Sequence, residues 1–153
     1  MVGKVYSIPI RGKADCRDHL HLVVATAGQN NLVIPAFGSD GPELQAALKS
    51  FLSVRGCFNY QCSIELDNNK HIRFLGSKTG KLATWFVGRR QILSTSEIEK
   101  HPIEGIMDAA GMLKIVECVL LWHETKPDDL AAKFVKMAQL LLGDLKAGKY
   151  DPG

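Results

Sequence analysis

The sequence predicts an α+β fold, with a strand-rich segment over residues 3–96 and a mainly helical segment over residues 97–148. In the first segment, apolar and polar residues alternate in short runs that are separated by turn residues. In the second, apolar residues recur at spacings of three and four. The 153 residues suit a single domain, and 46% hydrophobic with 23% charged residues is an ordinary globular mix. This composition excludes disordered, collagen-like and coiled-coil proteins.

The alternating runs predict six strands and one hairpin. The predicted strands are Lys4–Ile10, His19–Thr26, Asn31–Phe37, Phe58–Leu66, Lys70–Leu75 and Leu82–Val87. The turn residues of Ala27–Asn30 join the second strand to the third, so we expect these two strands to pair as a hairpin.

Helices are predicted within the strand-rich segment and after it. Pro42 suits a first helical turn and begins an apolar stripe that ends at Leu52, which predicts an inserted helix. A last helix is predicted from Thr125, as its N-cap, to Gly148, which can end it. Its apolar stripe consists of Leu130, Phe134, Met137, Leu141 and Leu145. Residues 101–113 have helical composition, whereas Ile115–Leu121 fits either a strand or a buried helix.

The four cysteines do not form a zinc motif. Cys57 and Cys62 are separated by four residues, and Cys16 and Cys118 stand alone. The first residues lack the apolar stretch of a signal peptide, and no apolar run is long enough to span a membrane. We therefore expect a cytoplasmic protein with reduced thiols, no cofactor and no membrane association.

Two further motifs suggest chemistry, and neither is complete. His19 and His21 point to one face of a predicted strand and can begin a metal site, but no spacing selects the remaining ligands. The more economical interpretation is a pair of hydrogen-bonded structural histidines, so no metal is predicted. The segment Gly76–Lys81 has three residues between its glycines instead of the four of a phosphate-binding P-loop, and Leu82 stands where a hydroxyl is needed.

Positive charge is concentrated in the middle of the chain. The net charge of the chain is +3, but residues 68–96 carry six basic and no acidic residues. One interpretation is a solvated face, and the other is a surface for a polyanion such as RNA, with Trp85 or Phe74 stacking on bases. The predicted nucleic-acid-binding residues are Lys70, Arg73, Lys78, Lys81, Trp85, Arg89 and Arg90.

Arg17 and Ser39 are the candidate catalytic residues. Arg17 directly precedes the predicted strand at His19, and Ser39 closely follows the strand that ends at Phe37. Because antiparallel neighbours place the start of one strand near the end of the other, both residues are expected at one rim. A guanidinium there can hold a phosphate and stabilise a pentavalent phosphorane during metal-free RNA cleavage by the 2′-hydroxyl. The alternative is a loop charge at Arg17 and a helix-capping hydroxyl at Ser39.

The order of these features resembles the MazF/PemK toxin family. The resemblance begins with Arg17 and the strand His19–Thr26, and continues through Leu32–Pro35 to the small residues Gly38 and Ser39. Weaker similarity extends over residues 62–93. It implies a small antiparallel SH3-like β-barrel with a helical C-terminal tail, a homodimer, and a metal-independent endoribonuclease that an antitoxin silences. Arg17 would be its catalytic arginine and Ser39 the neighbouring hydroxyl.

A non-enzymatic function is the alternative. In the family, Thr or Ser tends to follow the proline and one small residue, whereas Phe37 stands at that position here. A catalytically inactive relative of the toxin barrel, or a regulatory module that binds another protein through its helical tail, accounts for the same features.

Overall fold

Eight antiparallel strands and four α-helices make up the part of the chain that the structure describes. The structure is a computed structural model, and it describes residues 1–9, 18–38 and 63–152. The strands are β1 (Lys4–Pro9), β2 (Asp18–Ala27), β3 (Asn30–Gly38), β4 (Ser63–Asp67), β5 (Ile72–Phe74), β6 (Leu82–Phe86), β7 (Gln91–Ser94) and β8 (Ile103–Met107). The helices are α1 (Asn68–His71), α2 (Thr95–Ile98), α3 (Ala109–Thr125) and α4 (Ala132–Lys146), and a 3-10 turn spans Val87–Arg89.

The strands form one curled sheet. Its order is β4-β6-β3-β2-β1-β8-β5, with β7 pairing the first half of β3 while β6 pairs the second half. The outermost strands β4 and β5 are consecutive in the chain, and the single turn of α1 joins them. Since a connection this short cannot cross a flat sheet of this width, the sheet curls into a half-barrel.

The predicted hairpin is confirmed. Strands β2 and β3 pair antiparallel around the turn at Gly28 and Gln29, with Thr26 opposite Asn31. The register shifts between Val23 and Ala25, which marks a bulge in β2. The predicted strands that correspond to β1 and β6 are also present.

The main core lies between the sheet and the two long helices. The α3 residues that face it are spaced as one helical stripe, and they are Met112, Ile115, Val116, Cys118, Val119 and Trp122. Helix α4 buries Phe134, Val135 and Ala138, whereas Met137, which belonged to the predicted stripe, is 38% exposed. A second cluster covers the other face of the sheet and consists of Tyr6, Ile8, Val23, Val33, Leu93 and Ile98.

The helical tail is confirmed in outline and corrected in detail. Ile103–Met107 is a strand that pairs with β1 and β5, not part of a helix. Ile115–Leu121 belongs to α3. Thr125 ends α3 instead of capping the last helix, which begins at Ala132. Gly148, with φ +70°, ends α4 as predicted, and the amide of Lys149 closes the cap on Asp144 O at 2.8 Å.

The coarse prediction of an α+β fold with an antiparallel sheet and a helical C-terminal part is therefore confirmed. The predicted inserted helix of residues 42–52 and the strand residues before Ser63 lie outside the described residues. Cys16, Cys57 and Cys62 also lie outside them, while Cys118 is buried on α3.

Candidate functional site

Both predicted catalytic residues, Arg17 and Ser39, lie outside the described residues, but their neighbours are described. In the β2–β3 hairpin the paired residues nearest to them are His21 and Pro35, and β2 begins at Asp18 while β3 ends at Gly38. The residue after Arg17 and the residue before Ser39 thus belong to the same end of the hairpin, as the sequence predicts for this pair of strands.

Lys81 connects this end of the hairpin to helix α1. A Cβ placed on Gly38 would lie 3.8 Å from Lys81 Nζ, so the ammonium group lies beside the last residue of β3. The backbone carbonyl of Lys81 accepts a hydrogen bond from Asn68 N, the first residue of α1, at 3.1 Å. An exposed cation is therefore positioned by backbone contacts on both sides.

A groove of about 460 Å³ begins at the other end of α1. Its walls come from α1 and β5, from the end of β8 with the start of α3, and from the C-terminal residues. The lining residues are Lys70, His71, Ile72, Arg73, Ile106, Met107, Asp108, Ala109, Tyr150 and Pro152. Its volume lies within the range of small-molecule sites. Two of the predicted RNA-binding residues, Lys70 and Arg73, are thus brought together on one concave surface.

A histidine–aspartate pair forms part of this groove. His71 Nδ1 lies 3.0 Å from Asp108 Oδ1 and 3.3 Å from Oδ2, and the Asp108 amide donates to His71 O at 2.8 Å. Asp108 is also the N-cap of α3, where its Oδ1 accepts from Gly111 N at 2.7 Å. The carboxylate is half exposed, whereas the His71 side chain is 6% exposed. These bonds hold the imidazole in one orientation.

The remaining charges of the groove are mainly positive. Lys70 and Arg73 are exposed, and neither forms an ion pair with another described residue. The Tyr150 hydroxyl donates to Met107 O at 2.8 Å. Burial raises the pKa of Tyr150, and the charges of Asp108 and Asp151 raise it further, so the phenol stays neutral at physiological pH. Asp108 is therefore the one acidic group among the described lining residues.

The other predicted cations lie elsewhere. Lys78 pairs with Glu104 at 3.4 Å on the surface. Arg89 and Arg90 stand at the end of β6 opposite to Lys81, where the 3-10 turn leads into β7. The Arg90 guanidinium forms an ion pair with Asp129 at 2.7 Å, and both side chains are largely buried. The basic segment of the sequence is therefore divided between two ends of one strand.

The prediction that Trp85 stacks on bases is wrong. Its side chain is fully buried in the main core, and its Nε1 donates to Asn68 Oδ1 at 2.9 Å. A ring with both faces packed cannot receive a base. Phe74 is half-buried on the short strand β5, and its role in stacking stays a prediction.

His19 and His21 do lie on one strand, as predicted, in a hydrogen-bonded setting. His21 Nδ1–H donates to His19 O at 2.9 Å, and its Nε2 accepts from Gln91 Nε2 at 3.0 Å. Burial lowers the pKa of His21 to about 4, so the ring is neutral near pH 7. Both ring nitrogens of His21 are therefore engaged in hydrogen bonds. No group of three or more metal-ligating side chains occurs within residues 1–9, 18–38 and 63–152.

Sequence reasoning missed the His71–Asp108 pair. The two residues are 37 positions apart, and no sequence motif joins them. The available signal was Asp108, a good N-cap residue directly before a helix. Nothing in the sequence indicates that its carboxylate also reaches a histidine from another element.

None of the helices described here is long and apolar enough to cross a membrane. Comparison with known proteins identifies no relative, because no family model, no curated protein and no solved structure matches the chain.

Proposed function

We propose that this chain binds single-stranded RNA and holds its phosphates with Lys70, Arg73 and Lys81. The observation that carries the proposal is the arrangement of these three exposed cations around α1. Lys70 is part of α1, Arg73 follows it on β5, and the Lys81 carbonyl is bonded to its first residue. Lysine and arginine side chains on one continuous surface are the usual means of holding a nucleic-acid backbone.

The size and charge of the groove support this ligand. A volume of about 460 Å³ accommodates a unit of nucleotide size and not a duplex. The carboxylate of Asp108 opposes an anion, but His71 and the Gly111 amide already bond to it. The exposed cations Lys70 and Arg73 therefore make the open surface of the groove positive. The resemblance to MazF/PemK toxins favours RNA over DNA as the polyanion.

The cleavage centre of this proposal is the pair Arg17 and Ser39. The start of β2 at Asp18 and the end of β3 at Gly38 lie at the same end of the antiparallel hairpin, which supports it, since these residues adjoin the two candidates. Lys81, beside Gly38, would then guide the strand from the groove towards the scissile phosphate. The guanidinium would stabilise the charge of the phosphorane, and no metal takes part.

The finer features implied by the resemblance belong to the same proposal. The curled antiparallel sheet supports an SH3-like barrel. The homodimer, the antitoxin and the cytoplasmic location rest on the resemblance and the sequence. A second candidate is a non-enzymatic module that binds a protein, and it is favoured by the exposed Met137 and Leu140 on α4, the latter being 56% exposed.

Binding is tested by fluorescence anisotropy with a labelled, mixed-sequence single-stranded RNA over a series of salt concentrations. The double variant K70A/R73A removes the two groove cations, and K136A/K146A removes two exposed lysines of α4 as a matched control. We expect the slope of log affinity against log salt to fall by about 1.4 in the groove variant, because each phosphate contact contributes about 0.7. The control should keep the wild-type slope.

Equal slopes for both double variants would contradict binding through this groove, and absence of any RNA binding would contradict the proposed function. The same mixtures, incubated with EDTA and separated on a denaturing gel, report cleavage. If Arg17 is catalytic, R17A binds RNA as the wild type does and leaves it intact.

A further inference from the structure

We propose that His71, oriented by Asp108, is a general base that takes the proton from the 2′-hydroxyl of an RNA strand bound in the groove. This inference rests on the proposed RNA binding and assigns the reaction to the groove instead of to Arg17 and Ser39. It is carried by a histidine–aspartate pair that lines the same concave surface as two exposed cations.

The hydrogen bonds determine which ring nitrogen can react. An ionised carboxylate accepts and cannot donate, so the contact with Asp108 places the proton of neutral His71 on Nδ1. The lone pair is then on Nε2. A carboxylate that fixes the tautomer of a histidine base and stabilises the imidazolium is the arrangement found in hydrolytic triads. Asp108 acts through His71 and is therefore a positioning residue.

The pair is held in place before any ligand arrives. Asp108 makes three bonds at once: its carboxylate bonds to His71 and to the Gly111 amide, and its own amide bonds to His71 O. The 17-residue helix α3 begins directly after it, and the side chain of Met112 anchors that helix in the core. A rigid element on each side keeps the geometry that proton transfer requires.

Lys70 and Arg73 are placed to hold the reacting phosphate. They come one residue before and two residues after His71, on α1 and β5, and both line the groove. A strand whose phosphate contacts these cations lies in the groove that His71 also lines. Positive groups near the phosphate also stabilise the negative charge that develops on its oxygens during attack.

The reaction is a transesterification. The proton of the 2′-hydroxyl moves to His71 Nε2, the 2′-oxygen forms a bond to phosphorus, and the bond from phosphorus to the 5′-oxygen breaks. The departing 5′-oxygen takes a proton from water, and the imidazolium returns its own proton to the resulting hydroxide. The products are a 2′,3′-cyclic phosphate and a 5′-hydroxyl, with no metal, oxidant or other co-reactant.

The charged groups that face His71 come from every element around the groove. The charged ones that line the groove are Lys70 on α1, Arg73 on β5 and Asp108 before α3, and the neutral phenol of Tyr150 lies beside them. A general base reacts through an unprotonated lone pair, so we expect the cleavage rate of the wild type to fall in acid.

The test compares wild type with H71Q, D108N and R17A, and with H101Q as a histidine control outside the groove lining. Each protein is incubated with a mixed-sequence single-stranded RNA in EDTA over a range of pH, and its RNA binding is measured in parallel. At a protein concentration that saturates binding, we expect H71Q to cleave the bound RNA roughly 100-fold or more slowly than the wild type, without the acidic fall. D108N keeps a capping side chain, since Asn caps as well as Asp, and should lower the rate at least about tenfold.

The outcomes separate this inference from the proposed function. If the wild type does not bind RNA, both fail. If it binds RNA without cleaving it, the cleavage roles of His71 and of Arg17 both fail and the RNA binding stands. If H71Q cleaves at the wild-type rate while R17A does not, only the assignment to His71 fails. An all-2′-deoxy strand of the same sequence must bind and stay intact, and its cleavage would also overturn the inference, because the nucleophile would then be a different group.

A measurement on the wild type covers the case in which H71Q does not fold. The ring nitrogens of ¹⁵N-histidine-labelled protein are followed by NMR during titration with the non-cleavable deoxy strand. If the strand contacts His71, the His71 Nε2 signal should shift while the His101 ring signals stay fixed. An unchanged His71 signal at saturating strand would overturn the inference.

Discussion

At His21 a polar ring is held neutral inside the apolar second cluster. Its two ring nitrogens bond to His19 O and to the Gln91 side chain, and no part of the residue is exposed. Burial is the largest cause of its lowered pKa, which is about 4 compared with 6.5 for an ordinary histidine. The loss of hydration of the charged form outweighs the stabilisation that the His19 carbonyl and the Asp18 charge give it, so the folded state disfavours the proton.

This exclusion predicts that stability decreases in acid. Between about pH 6.5 and about pH 4 the unfolded chain takes up a proton at His21 that the folded chain does not, so the free energy of unfolding falls as pH falls. From about pH 7 to about pH 4.5 the expected contribution of His21 is roughly 2–3 kcal/mol. Urea unfolding at the two pH values measures it. The variant H21Q should lose that part of the pH dependence, whereas H123Q, at a histidine of α3, should retain it. An equal dependence in H21Q and wild type would contradict the explanation.

At the scale of elements, the Asp129 carboxylate links the turn between β6 and β7 to the loop between α3 and α4. Asp129 forms the ion pair with Arg90 at 2.7 Å and accepts from Trp122 Nε1 at 2.9 Å. The Arg90 guanidinium also donates to the Asp129 carbonyl at 2.8 Å. The sheet and both long helices therefore depend on the same buried contacts.

Removal of this carboxylate is expected to be costly. D129A leaves the largely buried Arg90 without its counter-charge, and we expect a loss of about 3 kcal/mol in the free energy of unfolding. D128A, which removes an exposed neighbouring carboxylate, should change it by no more than about 0.5 kcal/mol. A double-mutant cycle with R90A measures the coupling. A coupling near zero would mean that Arg90 and Asp129 are independent in the folded protein.

Elements with strong local patterns were predictable from the sequence. The hairpin of β2 and β3 has regular alternation on both sides of a glycine turn, so local information is sufficient. Ile103–Met107 is too short to show a period, and it becomes a strand because β1 and β5 are available on its two sides. Composition alone cannot separate that outcome from a helix.

The site was predictable only in part, for a similar reason. Lys70 and Arg73 are exposed cations of one basic segment, and the fold does bring them to one groove. Arg90 and Trp85 belong to the same segment, yet one is paired internally and the other is buried. Burial is decided by partners that are distant in sequence, such as Asp129 and Asn68.

Across the whole molecule, the curl of the sheet depends on how closely the segment before β6 approaches α1. The Asn68 amide bonds to Lys81 O, and Trp85 is bonded to the Asn68 side chain from the core. Gly80 makes the approach close enough. A Cβ at this position would lie 2.6 Å from Asn68 C and 2.9 Å from Asn69 Cα, which are backbone atoms that no rotamer change can move.

G80A should therefore loosen the junction between the two outer strands. We expect it to lower the free energy of unfolding by about 2 kcal/mol, and G76A, in the same loop with open space around it, to leave stability unchanged or raise it by up to about 1 kcal/mol. Because β2 and β3 are central and β4 and β5 are outermost, hydrogen exchange should accelerate in β4, α1 and β5 before it does in the central hairpin. Uniform acceleration over all strands would instead mean that α1 unfolds only together with the entire sheet, and that the groove cannot loosen independently of the core.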